Sequence, residues 1–250
     1  MQRYGNMTAG TAWATERGII AALVTGAFTP PCRLSLIKSL LHPRFIGKVE
    51  CPDPDCQMEA CMGNRMEVVP RAAVALEPGT EGWHFDSDNK AIRSTVVHGK
   101  NDRRPGHAPL EYTLPTGPLS KLMLAHIAEG HGQLVLERPD RMLNLFVTRQ
   151  GAAFNDATFV HFWRTLMGAT SLPEGLAYFP PSLARTVFVE DYTSEFGVEP
   201  DGWDGAAIIM GNCVNQWRKS YNPSGRNRGA QRAVNAHAAY MDARALGGEE

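Results

Sequence analysis

The chain has 250 residues, 43% of them hydrophobic and 20% charged, enough for one large or two small globular domains with a sizeable core. A formal net charge of -1 excludes a protein that coats nucleic acid indiscriminately, while leaving a local basic surface open. Five cysteines, an odd number with three of them between 51 and 61, exclude a secreted disulfide framework, and no run of about 18 apolar residues reads as a membrane span.

The stretch TAWATERGIIAALVT (11 to 25) predicts a helix that Gly26 ends. A second helix is expected over Leu34 to Leu41, after Pro30-Pro31-Cys32-Arg33. Alternating and β-branched residues then predict three short strands, Met66 to Leu76, Ala91 to His98 and Leu110 to Leu114. The last two are joined by the polar turn Gly99-Lys100-Asn101-Asp102 and its basic extension. After Pro115 the period becomes helical, with Leu119, Leu122, Met123 and Ile127 on one face. Further helices are expected at 155 to 167, 181 to 195, 203 to 210 and 228 to 244. With no internal repeat, low-complexity tract or evident linker, the expected organisation is one α+β domain over 1–250, mainly helical around a small antiparallel sheet. The first 30 residues lack the basic-then-apolar order of a signal peptide, so an intracellular location is expected.

Charge is unevenly placed. Arg218, Lys219, Arg226, Arg228 and Arg232 stand close together with no acid among them, whereas Glu190, Asp191 and Glu195 gather elsewhere. The basic cluster begins inside the stretch MGNCVNQWRKSY and continues past it, and in that stretch Asn212 of the pair Gly211-Asn212 precedes Tyr221 by nine residues. That interval resembles the end of the tyrosine recombinase (phage integrase) catalytic domain, where a histidine precedes the nucleophilic tyrosine by the same distance. Other parts occur in the family's order. Leu23-Val-Thr-Gly26 and Arg33, with Ile37 and Leu40 behind it, resemble its first box. Lys100 resembles its β-hairpin lysine, Leu110-Glu-Tyr-Thr-Leu-Pro115 the following strand, and Leu145-Phe-Val-Thr-Arg-Gln-Gly151 the segment before the next helix. Ser182-Leu-Ala-Arg185 stands where the family has His-x-x-Arg, and the resemblance covers about residues 12 to 225.

The resemblance implies a site-specific DNA recombinase or integrase, of a mobile element and nuclear if its host is eukaryotic, that acts on DNA as a homo-oligomer. Its site residues would be Arg33, Lys100, Ser182, Arg185, Asn212 and Tyr221, and Arg218, Lys219, Arg226 and Arg228 would contact the DNA backbone. A phosphodiester attacked by a tyrosine oxygen gains charge on its nonbridging oxygens, which guanidinium forks bind. Arg33 and Arg185 are the candidate clamp, Lys100 the proton donor to the leaving 5′ oxygen, and the product a 3′-phosphotyrosyl link; no metal or cofactor takes part. Departures are Ser182 and Asn212 for histidines and Leu36 where glutamate is common, so a catalytically impaired DNA-binding relative is the alternative. The family's N-terminal DNA-clamping domain is not expected before residue 12, and the Ala-rich stretch Ala230 to Ala245 suits a helix that docks on a neighbouring subunit.

Plainer readings stand beside these. Arg33 suits a solvated first helical turn, Arg185 an ion pair with Glu190 or Asp191, Ser182 a helix N-cap and Asn212 a turn; Lys90 and Lys121 compete with Lys100, and Tyr240 with Tyr221. Cys51, Cys56 and Cys61, at five-residue steps in a Pro-rich insertion, are candidate ligands of a structural zinc, with His42, His84 or Cys32 as a fourth. Free, partly buried thiols are the alternative. A zinc-stabilised protein-interaction module, with no affinity for DNA, is the third function class.

Overall fold

The structure is a computed structural model that describes residues 7–46, 61–70, 73–74, 90–97, 109–135, 143–169, 178–185, 187–188, 210 and 234. Helix α1 runs Ala9–Thr25, starting two residues earlier than the periodicity predicts because the Thr8 side chain accepts from the Thr11 amide. It stops at Gly26, whose φ of 80° lets its N–H close back on the Ala22 carbonyl. Helix α2 is Leu34–Ser39. It ends short of the expected Leu41 because the next residues pair elsewhere: the Leu145 amide donates to the Leu40 carbonyl at 2.7 Å and the Leu41 amide to the Asn64 carbonyl at 2.8 Å.

The three strands, β1 (Arg65–Pro70), β2 (Lys90–Val96) and β3 (Leu110–Thr113), form one antiparallel sheet in the order β1-β2-β3. Their existence and order match the sequence reading, but β1 does not continue to Leu76. Pro70, paired with Lys90 at the start of β2, has no N–H to extend the ladder, and Ala73 and Val74 lie outside it. The register puts Met66, Ser94 and Tyr112 side by side on the core face, and Glu67, Arg93 and Thr113 on the other. There Glu67 is shared by Arg93, whose Nη2 is 2.6 Å away, and by Arg65, whose Nε is 3.7 Å away.

Helix α3 (Pro118–Ala125) runs on through a π turn, His126–Gly130, into the short α4 (His131–Leu134). Helix α5 (Asp156–Gly168) opens with a reciprocal cap between Asn155 and Thr158. Its buried face, Phe159, Phe162, Trp163, Leu166 and Met167, joins Ile19, Ile20 and Leu23 of α1, Ile37 of α2 and Met66, Ile92 and Leu110 of the sheet in one core. Truncating a side chain as large and as fully enclosed as Trp163 costs about 3–5 kcal/mol. The fold of the described residues is therefore α+β, helices around a small antiparallel sheet. No helix among them is long and apolar enough to cross a membrane.

Candidate functional site

The loop after α1 determines where Arg33 stands. Gly26 turns the chain in the left-handed region, and a Cβ there would sit 2.8 Å from the Pro31 ring. The Cys32 amide then donates to the Leu23 carbonyl at 2.7 Å, so the Pro30-Pro31 segment folds back on the end of α1. Arg33 enters α2 as its N-cap residue, in an extended conformation with ψ of 147°. Its side chain is half-buried, and its Nε donates to the Met210 carbonyl at 3.0 Å, across 177 residues of sequence. A solvated first-turn arginine would make no such long-range bond, so that plainer reading is corrected.

Arg185 approaches from another part of the chain. Residues 181 to 185 are helical, and the Leu183 amide donates to the Pro180 carbonyl at 2.9 Å. Ser182 is thus inside the helical stretch rather than at its N-cap, where Pro180 stands. Three residues apart on a helix, Ser182 and Arg185 share a face. The stretch is tethered at its start, because the indole Nε1 of the enclosed Trp163 donates to the Phe179 carbonyl at 2.7 Å. Burial holds the Arg185 guanidinium below its ordinary value, and the charge of Arg33 pushes it the same way. The two guanidinium groups therefore lie within each other's field, together with the backbone of Met210, immediately before Gly211-Asn212. The downward pressure on Arg185 acts on a group that ordinarily titrates far above neutral pH, so it stays cationic there.

The antiparallel pairing of β2 with β3 leaves residues 97–109 as their connection, and Lys100 belongs to it by sequence. Lys90 begins β2, at the opposite end of the strand from that connection, and Lys121 is on exposed helix surface in α3. Lys100, Asn212, Tyr221, Tyr240, Glu190, Asp191, Arg218, Lys219, Arg226, Arg228, Cys51, Cys56 and His84 lie outside the described residues.

Of the candidate zinc ligands, Cys61 is half-buried, its sulfur accepting from the Gly63 amide at 3.4 Å. Two of the proposed fourth ligands, Cys32 and His42, are buried. Burial pushes the Cys32 thiol up to about 12. The His42 ring accepts from the Arg44 amide through Nδ1 and is hydrogen-bonded to the Ile127 backbone, so its nitrogens are engaged. No group of three or more ligating side chains with metal geometry occurs among the described residues.

A second polar constellation escaped the sequence reading. Glu16 of α1 is wholly buried, accepts from the Val147 amide at 2.9 Å through Oε1, and has its Oε2 3.3 Å from His126 Nε2. His126 Nε2 also donates to the Leu145 carbonyl at 3.1 Å, and His131 Nε2 to the Asn144 carbonyl at 2.8 Å. The His42 and His131 rings lie 4.2 Å apart. Desolvation pushes His42 and His126 down to about 4 and His131 to about 3, and raises the Glu16 carboxyl. The Glu16–His126 contact has the geometry of an ion pair, and burial on both sides works against the charged form of each partner. A signal was present: Glu16 lies four residues after Ala12 and three and four before Ile19 and Ile20, on the apolar face of α1.

Comparison with family models, with curated proteins and with solved structures finds no match to this chain.

Proposed function

We propose that the protein cleaves and rejoins DNA as a tyrosine recombinase, through a 3′-phosphotyrosyl intermediate, and that the domain is of that family's catalytic type. One observation carries the reading. It is supported by Arg33, which donates to the Met210 carbonyl just before Gly211-Asn212 and whose charge acts on Arg185, three segments that the recombinase reading needs near one another.

The chemistry follows from charge. When a tyrosine oxygen attacks the phosphorus of a DNA phosphodiester, the nonbridging oxygens gain negative charge, and two guanidinium groups stabilise it with paired N–H donors. Ser182, on the Arg185 face, adds a hydroxyl donor but holds no titrating proton at neutral pH. Tyr221 forms the bond to phosphorus as the bond to the 5′ oxygen breaks; Lys100 gives that oxygen its proton, and the phenol's proton goes to water. Energy stays in the phosphotyrosyl ester, so the reverse attack by a 5′ hydroxyl rejoins the strand without a nucleotide cofactor. The partners in this reading are DNA and further copies of the chain, with Arg218, Lys219, Arg226 and Arg228 on the DNA backbone.

A DNA duplex nicked next to the cleaved phosphate tests the proposal, because the short leaving fragment diffuses away and traps the adduct. Wild type is expected to become covalently attached to the DNA, and Tyr221→Phe to form no adduct. The second reading, a DNA-binding relative without cleavage activity, is favoured by Ser182, a group that cannot move a proton, inside the Arg185 helical stretch. Salt-sensitive DNA binding with no adduct would select it. No DNA binding at all would reject both.

A further inference from the structure

Residues five apart on a regular α-helix point about 140° away from one another, so His126 and His131 would face different neighbours there. The π turn removes that separation. The His131 amide closes on the His126 carbonyl, and residues so paired stand about one turn apart. Gly130 leaves room for the first ring, since a Cβ there would stand 2.9 Å from His126 Nδ1. Both rings then reach one stretch of backbone: His126 Nε2 donates to the Leu145 carbonyl at 3.1 Å and His131 Nε2 to the Asn144 carbonyl at 2.8 Å. From α1, Glu16 accepts the Val147 amide at 2.9 Å.

The stretch held in this way holds α2 in turn. The Leu145 amide donates to the Leu40 carbonyl at 2.7 Å, Asn144 Nδ2 to the Lys38 carbonyl at 2.7 Å, and the His42 amide to the Leu143 carbonyl at 2.8 Å. Residues 143–145 therefore fasten the C-terminal end of α2 and the residues just after it, and α2 has Arg33 at its start.

Protonation attacks this arrangement at one atom of each ring. A carbonyl only accepts, so Nε2 carries the proton in both rings and Nδ1 keeps the lone pair. Both rings are fully buried, and among the described residues neither Nδ1 has a hydrogen-bond partner. A second proton would put a charge on a nitrogen that meets no acceptor and no water. The surroundings add to the cost: His126 lies against Phe146, ring centroids 5.8 Å apart, and His131 against His42 at 4.2 Å, within the positive field of Arg44. The carboxyl that meets His126, Glu16 Oε2 at 3.3 Å, is on Nε2, the nitrogen already protonated. Leu143 to Val147 bring no titratable side chain.

We infer that Glu16, His126 and His131 form an acid-released latch on residues 143–147, which frees the C-terminal end of α2 while the core around Trp163 stays folded. Opening lets both rings take up a proton that the closed latch refuses, so acid favours the open form; Glu16, raised by burial, gives one up and opposes it. With the closed rings at about 4 and 3, against 6.5 when free, releasing both raises the open population roughly 500-fold between pH 7 and 5. One proton from Glu16 offsets at most about 100-fold over those two units, which leaves a rise of roughly fivefold or more.

Amide hydrogen exchange of the full chain at pH 7, 6 and 5, each rate divided by that of an unstructured peptide, tests the latch. The Val147, Leu145 and His42 amides are expected to lose protection by roughly fivefold or more from pH 7 to 5. They are expected to exchange faster than the amides of Leu114, bonded to Ile92 in the sheet, and Phe159, bonded to Asn155 in α5, and to respond little to low urea, because a local opening exposes little surface. The double variant His126→Gln, His131→Gln keeps a donor near each Nε2 and takes up no proton, so the acid response should vanish. His131→Gln alone, for use if the double variant does not fold, should remove most of it. Imidazole 15N shifts of the wild type at pH 7 are expected to show the Nε2–H form in both rings. Exchange at Val147, Leu145 and His42 that tracks Leu114 and Phe159 in acid and in urea overturns the inference, since the segment then opens only with the whole fold. An Nδ1–H form in either ring overturns it, and so does an undiminished acid response in the Gln variants.

Discussion

Acid should unfold this protein sooner than its surface carboxylates alone would require, and the reason is the buried cluster of Glu16, His42, His126 and His131. Each histidine is neutral in the folded chain, with pKa values of about 4, 4 and 3 for His42, His126 and His131, against 6.5 for an unhindered imidazole. A depressed imidazole contributes stability that is fully present above 6.5 and is lost as the pH falls toward the folded value, because the unfolded chain takes up protons that the folded chain refuses. At pH 5 a histidine at about 4 when folded and 6.5 when unfolded has lost about 2 kcal/mol of that contribution. Glu16 acts in the opposite sense. Its raised carboxyl keeps a proton that the unfolded chain has released above 4.5, so its contribution is present at low pH and lost as the pH rises.

Between pH 6 and 5, then, the three histidines gain close to three protons on unfolding, and Glu16, with its raised carboxyl, offsets at most one of them. At about 1.4 kcal/mol per proton per pH unit, the unfolding free energy should fall by at least about 2 kcal/mol over that unit. The Asp156 carboxyl, held low by Lys38, changes only below its ordinary 3.8 and leaves this window clear. Urea melts at pH 7, 6 and 5 measure the slope. Glu16→Gln, by removing the opposing proton, should steepen the dependence to about 4 kcal/mol per unit. A wild-type slope below about 1 kcal/mol per unit, unchanged in Glu16→Gln, would refute the reasoning.

Two further outcomes follow from the elements that carry the arginines. Gly26→Ala places a Cβ 2.8 Å from the Pro31 ring at a φ of 80°, and it should lower stability by about 1–2 kcal/mol from backbone strain alone, read by urea melts, and slow adduct formation because the loop delivers Arg33. Trp163→Phe keeps most of the buried ring but removes the N–H to the Phe179 carbonyl, so a loss of about 1–3 kcal/mol is expected in thermal melts, with weaker DNA binding if the tether positions the Arg185 stretch.

The parts of the fold that periodicity announces are those the sequence shows. Gly26 closes α1 where expected, and β2 and β3 fall within two residues of their predicted limits, because the β-branched and apolar residues that mark them are a local signal. Ends set by long-range pairing were not legible. Leu40 and Leu41 continue a helical pattern, yet the amide of Leu145 and the carbonyl of Asn64 draw them out of α2. Arg33 and Arg185 were found as candidates through the order of motifs across the chain, a signal that needs no knowledge of packing. His126 and His131 carried no such order, and their contacts appear only once separate segments meet around them. Glu16 is intermediate, a carboxylate whose spacing from Ala12, Ile19 and Ile20 points it inward.

Desolvation acts on both polar constellations and leaves them chemically different. An imidazole starts near neutral pH, so burial suffices to strip its proton, and the cluster around His126 becomes an uncharged, inward-facing part of the core. A guanidinium starts so high that the same pressure, with the repulsion of Arg33 added, still leaves Arg185 charged. The histidine cluster offers an incoming phosphate no charge and no access. On the reading proposed above, recognition of an anionic substrate falls to the arginine pair, whose segments are joined to the core through the Trp163 hydrogen bond and the α1 loop.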